Sequence, residues 1–417
     1  MPGLLPENQR LFATQVVREL RDAGFEAYWA GGCVRDHLLG RRPKDYDVAT
    51  SARPEQVRSV FGRRRTLAIG AAFGVITVLG PPRAGQIEIA TFRADLDYSD
   101  GRHPDGVTFC NAEEDALRRD FTINGMFYDP IDERVIDYVD GQKDLQRGIL
   151  RAIGSPQERF TEDKLRMLRA VRFTSTFGFQ MDKETLAAVR RMAEQITIVS
   201  VERIAAEMRR MLTERGLVVA VWLLLETGLA KVILPEIVCE ERPERIERTL
   251  SLLKRFDKPS FALALAALLR EFVDARGAAG VCSRWKLSCS DSSRVEWLIG
   301  CGDVLRDAAE MPWSKLQSYM VDDGIEELLA LAEAVAAEAG ESIDFVEFCR
   351  EKLRLPDEVL HPTPLLTGDD LIEHGLTPGP IFKRLLARTW QAQLDGEIET
   401  KQAALAIVDR MLQTELE

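Results

Sequence analysis

"YWAGGCVRDHLLGRRPKDYDVAT", Tyr28 to Thr50, brings two glycines, an arginine and two aspartates one residue apart into one short span. FEAYWAGG reads as a strand running into a turn, CVRDHLLG as a short helix closed by Gly40, and KDYDVAT as an alternating strand. On such a strand Tyr46 and Val48 share one face while Asp45 and Asp47 share the other, about 6–7 Å apart at the backbone. Two carboxylates so placed can converge on one or two divalent cations, and hard oxygen ligands favour Mg²⁺. Gly31 and Gly32 fall where strand becomes helix, and without a Cβ they let a phosphate chain reach backbone N–H groups. Arg35, one turn in, can add a bidentate phosphate contact. A lone DxD is ordinarily a solvated strand edge, and a lone GG ordinarily a turn. In combination they describe the two halves of a nucleoside-triphosphate site.

Outward from this stretch, the first 150 residues mix elements. QRLFATQVVRELRDAG has helical spacing at Leu11, Val16 and Leu20, and FGVITVLG and QIEIATF read as two strands joined by PPRAG. Beyond Leu150 nearly everything carries helical spacing broken by Gly and Pro. The expected class is α+β, a mixed head followed by an all-helical body and tail. The divisions are a head at 1–150, a helical neck at 151–235, a body at 236–355 and a tail at 356–417, the last entered through the proline-rich LRLPDEVLHPTPLLTGDD. No fixed-period repeat is visible.

Composition narrows the function classes. The chain of 417 residues is 46% hydrophobic and 29% charged, enough for two or more packed cores. Its net charge of −12 speaks against coating nucleic acid non-specifically, and Arg63–Arg65, Arg209–Arg210 and KRLLAR each read as a solvated face. Seven scattered cysteines without a CxxC pair, and four histidines, do not suggest zinc. They fit reduced thiols in a cytoplasm. MPGLLPENQRL has no basic stretch before an apolar core, and LVVAVWLLL and FALALAALL fall short of the roughly 20 residues of a membrane span.

The opening motif, followed by RRDFTINGMFYDP, DPIDERVIDYVDGQKDL, EDKLRMLRAVRF and SVERIAAE, resembles the class II tRNA nucleotidyltransferases, the CCA-adding family, and the related bacterial poly(A) polymerases. At Gly125 this chain departs from the alanine common in the family. The tail, PLLTGDDLIEHGLTPGP to AQLDGEI, is also similar, so the likeness spans nearly the whole chain. It implies a polymerase-β-like nucleotidyltransferase head. It also implies that Asp45 and Asp47 are the catalytic metal ligands, that Gly32, Arg35 and Arg119 touch the nucleotide, and that Asp120 and Asn124 help with ribose and phosphates.

Asp163, Arg166, Arg169 and Arg172 recur every third residue, drifting around one helix face. One reading is an Asp163–Arg166 ion pair on a solvated face, with Leu165, Leu168 and Val171 toward the core and the other arginines lacking acidic partners. The other is base recognition. A carboxylate accepts from an exocyclic amine and a guanidinium donates to a ring nitrogen or carbonyl, a pattern met by cytosine and adenine and failed by uracil and guanine. Arg169 and Arg172 would then hold base or phosphates. Glu88, opposite Ile87 and Ile89 on its strand, is either a third carboxylate or a solvated one. GLTPGP in the tail reads as a phosphate-holding turn or a plain helix connection. TFRADLDYSDGRHPDGVTF resembles the family's flexible loop, which CC-only enzymes shorten. The expected activity is CCA addition to the 3′ end of tRNA from CTP and ATP with Mg²⁺, with contacts to the acceptor and T arm. A-only addition or poly(A) synthesis is the alternative, and a non-catalytic RNA-binding protein a third reading.

Overall fold

The computed structural model describes residues 6–95, 106–238 and 241–414. Residues 96–105 of the flexible-loop region and Cys239 lie outside them. The chain divides into two compact units, 1–240 with 284–287, and 241–283 with 288–417.

The first unit opens with α1 (Pro6–Asp22), whose buried stripe is Phe12, Ala13, Val16, Val17 and Leu20. Leu11, expected on the apolar spacing, is 61% exposed, because at 100° per residue it falls opposite that stripe. There follow β1 (Ala27–Ala30), α2 (Gly32–Leu38), β2 (Asp47–Thr50), α3 (Pro54–Phe61), β3 (Thr66–Gly70), β4 (Val75–Leu79) and β5 (Gln86–Thr91). β6 (Arg93–Asp95) and β7 (Val107–Phe109) pair as a separate ribbon. Then come α4 (Ala112–Leu117), β8 (Phe127–Asp129), β9 (Arg134–Ile136) and α5 (Gly141–Arg147).

The main sheet has the order β3-β4-β5-β2-β1-β8-β9, parallel only between β2 and β5. It is the mixed sheet expected of the head. One cross-strand row runs Leu67–Thr77–Glu88–Asp47–Ala30–Phe127–Ile136. Side chains alternate across a strand, so this row defines one face of the sheet, and α4 packs on it against Tyr28, Ala30 and Ala49. The opposite face carries Trp29, Val48, Ile76, Val78, Ile87 and Ile89, all buried, with α1 against β1, β2 and β5.

Beyond the sheet, β10 (Ile149–Leu150) and β11 (Gln180–Met181) form a short parallel pair. The helices are α6 (Pro156–Glu162), α7 (Leu165–Phe177), α8 (Lys183–Met192), α9 (Val201–Leu212), α10 (Leu217–Glu226) and α11 (Leu229–Ile233). The helix expected through Asp163 is broken there. Asp163 has extended backbone (φ −143, ψ 108) and caps the end of α6, so only the three arginines ride on α7. α10 contains LVVAVWLLL, but Val219 and Trp222 are about half exposed.

The second unit is helical throughout its described residues, from Pro243–Leu253 to Lys401–Thr414. Phe261–Leu269 is buried at every position, as its uninterrupted apolar sequence requires. The tail helices Gly368–Glu373, Pro380–Leu394 and Lys401–Thr414 enclose a core of their own around Leu371, Leu385, Ala404 and Val408. Among the described residues no helix is long and apolar enough to cross a membrane.

Candidate active site

The Asp47 row and α7 together wall a cleft of about 620 Å³ in the first unit. Its geometry begins at Gly31, where β1 ends. The backbone there has φ +72, a region glycine adopts without strain, and a Cβ would come within 3.2 Å of Arg119 Nη1. Gly32 opens α2 and lines the cleft. Because β1 turns away at Gly31, no strand lies opposite residues 45 and 46. β2 therefore begins at Asp47, and Asp45 sits on the bend before the strand rather than on it, contrary to the sequence expectation.

Asp47 is cross-strand partner to Glu88, and both face the cleft. Asp47 is accessible through the cleft mouth but crowded by protein on its other sides. That burial, then the Glu88 carboxylate, and finally Asp45 outweigh the nearby Arg119 and push its carboxyl up to about 6. Glu88, ambiguous in the sequence, is thus placed beside Asp47. Among the described residues no group of three or more His, Cys, Asp or Glu side chains closes into a metal cage. The donor set is open, made of hard oxygens, and repels itself. That fits a divalent cation that substrate oxygens complete.

Arginines line the rest of the cleft. Arg35 is buried, donates through Nη1 to Asn124 Oδ1 at 2.7 Å and through Nε and Nη2 to Asp36, and stacks on Phe173 and Phe177. It ties α2 to the turn holding Asn124 as well as facing the cleft. Arg119 and Arg118 share Asp115, at 2.8 and 2.7 Å, so Arg118 is part of this wall and not an ordinary surface residue.

In place of the Asp163–Arg166 ion pair of the solvated-face reading, the structure has two separate clamps. Asp163 accepts from the Leu165 N–H at 3.0 Å and from Arg203 Nη2 at 2.7 Å. Arg166 is held by Glu162 and donates to the carbonyl oxygen of Arg159. The other two arginines also have acidic partners, against expectation. Arg169 donates Nε to Asp120 at 2.8 Å, and Arg172 donates Nε to the buried Glu207 at 2.6 Å. Burial would raise the Asp120 carboxyl, yet Arg169 and Arg166 outweigh it and hold the group at about 2. Asp163, Arg166, Arg169 and Arg172 all line the cleft, together with Gly32, Arg35, Asp47 and Arg119. Asp45 lies beside them without lining it.

Sequence reasoning gave no role to Glu162, Arg203 or Glu207. A signal existed for the last two: in SVERIAAE they are four apart, hence on one face of α9, and that face meets α7.

Comparison with known proteins identifies the family. The pattern of the "Poly A polymerase head domain" fits residues 27–151, and that of the "Probable RNA and SrmB- binding site of polymerase A" fits 178–240. That of the "tRNA nucleotidyltransferase domain 2 putative" fits 260–408. The CCA-adding enzyme of Lactobacillus delbrueckii subsp. bulgaricus is 33% identical over 402 residues, 94% of this chain and 96% of that one. This chain belongs to the CCA-adding enzyme family. The CCA-adding enzyme of Enterococcus faecalis is 34% identical over 411 residues, 94% of each chain. The solved Bacillus stearothermophilus CCA-adding enzyme in complex with CTP is 29% identical and superposes with a TM-score of 0.77 over 98% of both chains. The Thermotoga maritima CCA-adding enzyme complexed with tRNA shares the fold at 20% identity and a TM-score of 0.65. The polymerase-type head, the helical body and the nucleotidyltransferase class are those of the family, whose chemistry generally requires a divalent metal.

Proposed function

We propose that this chain adds CCA to the 3′ end of tRNA from CTP and ATP, without a nucleic-acid template, and releases pyrophosphate. The observation that carries the reading is the cleft itself. Asp47 and Glu88 form one wall, and the other holds a carboxylate, Asp163, and a guanidinium, Arg166, each fixed by a partner of its own.

The chemistry follows from these walls. The RNA 3′-hydroxyl oxygen bonds to the α-phosphorus of the nucleotide as its proton passes to solvent water, the bond from that phosphorus to the β-phosphate's bridging oxygen breaks, and pyrophosphate leaves with the electron pair. Asp47 and Asp45 would hold Mg²⁺, with Glu88 beside them. The ion supplies charge neutralisation for the attacking and leaving oxygens when bound. Gly31 and Gly32 keep the wall free of Cβ atoms where phosphates pass, and Arg119 lies next to them as a cation for the triphosphate. Asp163 has both oxygens in use, each with a lone pair to spare for an exocyclic amine. Arg166 offers its remaining N–H groups to the ring. Arg169 and Arg172, clamped by Asp120 and Glu207, hold base or phosphates from the same helix. Uracil and guanine present a carbonyl where Asp163 needs an amine and an N–H where Arg166 needs an acceptor, so they lose contacts.

On this reading the head is 1–150, the neck carrying base recognition 151–235, the body 236–355 and the RNA-binding tail 356–417, and the enzyme works in the cytoplasm. The test is incubation with tRNA lacking its last three, two or one nucleotides and each NTP alone. CTP on the first two and ATP on the third, with no product from UTP or GTP, is the expected pattern. ATP addition to the CC-ended tRNA alone, or long runs of A, would replace it with A-only or poly(A) synthesis.

A further inference from the structure

β3 is one of the two edges of the main sheet, and its surroundings are unusual for an edge. Leu67 and Ile69 are 40% and 90% exposed, and Leu79 on the neighbouring strand is 36% exposed. Immediately before the strand, Arg63, Arg64 and Arg65 are all exposed and make no ion pair among the described residues. A bare apolar edge invites association unless something occupies it. The pairing of β3 with β4 shifts register between Leu67 and Gly70, which interrupts the regular ladder that an added protein strand would need.

The row through Leu67 supplies the link to the site. Leu67, Thr77, Glu88 and Asp47 are consecutive cross-strand partners, so the exposed shelf is the outward continuation of the catalytic wall. Three strand spacings separate Leu67 from Asp47, about 14 Å. That is the length of about four stacked nucleotides at about 3.4 Å each. Apolar surface that bases can cover, ending in unpaired cations that phosphates can meet, is the make-up of a single-strand platform. In a chain of net charge −12, such a local cluster is what a polyanion can approach.

We propose that this edge, Arg63–Arg65 with Leu67 and Ile69, carries the unpaired 3′ end of the RNA toward Asp47. The 3′-terminal nucleotide lies at Asp47, the unpaired nucleotides nearest the stem reach back to Leu67 and Ile69, and the phosphates near the first base pair lie on the arginines. The inference rests on the RNA-extending function above and adds the path of the primer.

The test uses the full chain and two RNA minihelices of the same stem, one with three unpaired 3′ nucleotides ending in CC and one blunt. Ile69→Asp is expected to weaken binding of the overhanging RNA about tenfold and leave the blunt one unchanged. The triple Arg63→Ala, Arg64→Ala, Arg65→Ala variant is expected to weaken the overhanging RNA at least tenfold. It should also flatten the dependence of log K on log salt by about two, at roughly 0.7 per phosphate contact. The KM for ATP should stay put, and unfolding temperatures should match the wild type, since every altered side chain is exposed. Equal affinities in wild type and variants overturn the proposal, as does a change confined to self-association in sedimentation, which would make the edge a protein interface. If the wild type fails to extend the overhanging RNA with ATP, the functional reading itself fails. If it extends and the variants bind equally, only the primer path does.

Discussion

The two walls of the cleft handle charge in opposite ways. On the sheet, Asp47 faces Glu88, has Asp45 nearby and is pushed up to about 6 by burial and by those carboxylates. On α7, Arg166, Arg169 and Arg172 are each matched to a separate carboxylate, Glu162, Asp120 and Glu207. The first wall keeps an excess of negative charge that a cation arriving with substrate can relieve. The second is neutralised within the protein, so what it offers a ligand is directed hydrogen bonds on fixed side chains. On the proposed function, one wall serves the chemistry on phosphate and the other reads the base. A half-buried, paired guanidinium costs less to aim than a free one.

The largest effect should come from the uncompensated wall. Asp47→Asn or Asp45→Ala should lower kcat by about three powers of ten, in the range seen when a group stabilising transition-state charge is removed. Thermal stability should hold or rise, because a like-charge repulsion goes with the side chain. A large fall in unfolding temperature with kcat retained would give Asp47 a structural role instead.

Breaking a pair on the compensated wall should show in stability first. Asp120→Asn leaves the half-buried Arg169 without its counter-charge, at a cost of about 2 kcal/mol. The pH dependence has a definite sign. Asp120 is held at about 2, below the ordinary value near 4, so its contribution is complete above pH 4 and is lost as pH falls through 2. Urea titrations from pH 5 to 2 should show a steeper loss for the wild type than for Asp120→Asn. Parallel curves would mean the pair contributes nothing to acid sensitivity.

Smaller effects should follow at the edges of each wall. Glu88→Gln should lower kcat about tenfold, far less than Asp47→Asn, if Glu88 shapes the charge around Asp47. An unchanged kcat returns it to the solvated strand. Arg203→Ala should cost less than about 1 kcal/mol in stability, because Arg203 is partly exposed, while relaxing base choice a few-fold. Unaltered choice among the four nucleotides would show that Asp163 needs no such holder.

Much of this comparison is legible in the sequence alone. Tyr28 to Thr50 sets the head because Gly31 takes the positive φ that ends one strand and Val48, Ala49 and Thr50 bury the next. Phe261–Leu269 declares its burial by having no polar side chain at all. What stayed hidden depends on contacts distant in sequence. The partners of Arg169 and Arg172 are 49 and 35 residues away, so spacing along α7 suggested unpaired arginines where there are none. The place of Asp45 was missed for a related reason: whether a residue joins a strand depends on having a neighbour strand, and β1 turns away at Gly31. The break at Asp163 was hidden because the three-residue spacing continues across it. Glu88 could be settled only by register, which no single strand reveals.

The central claim is that Asp163 reads the base edge. Asp163→Ala removes the acceptor for the exocyclic amine shared by cytosine and adenine, a contact worth roughly 1–3 kcal/mol of discrimination. The decisive measurement is kcat/KM for all four NTPs on one truncated tRNA, wild type against Asp163→Ala. The account predicts that rates for CTP and ATP fall and that their preference over UTP and GTP shrinks by about one to two powers of ten. A variant that is slower or less stable but keeps the full preference would contradict it, leaving Asp163 as the cap of α6 and the partner of Arg203.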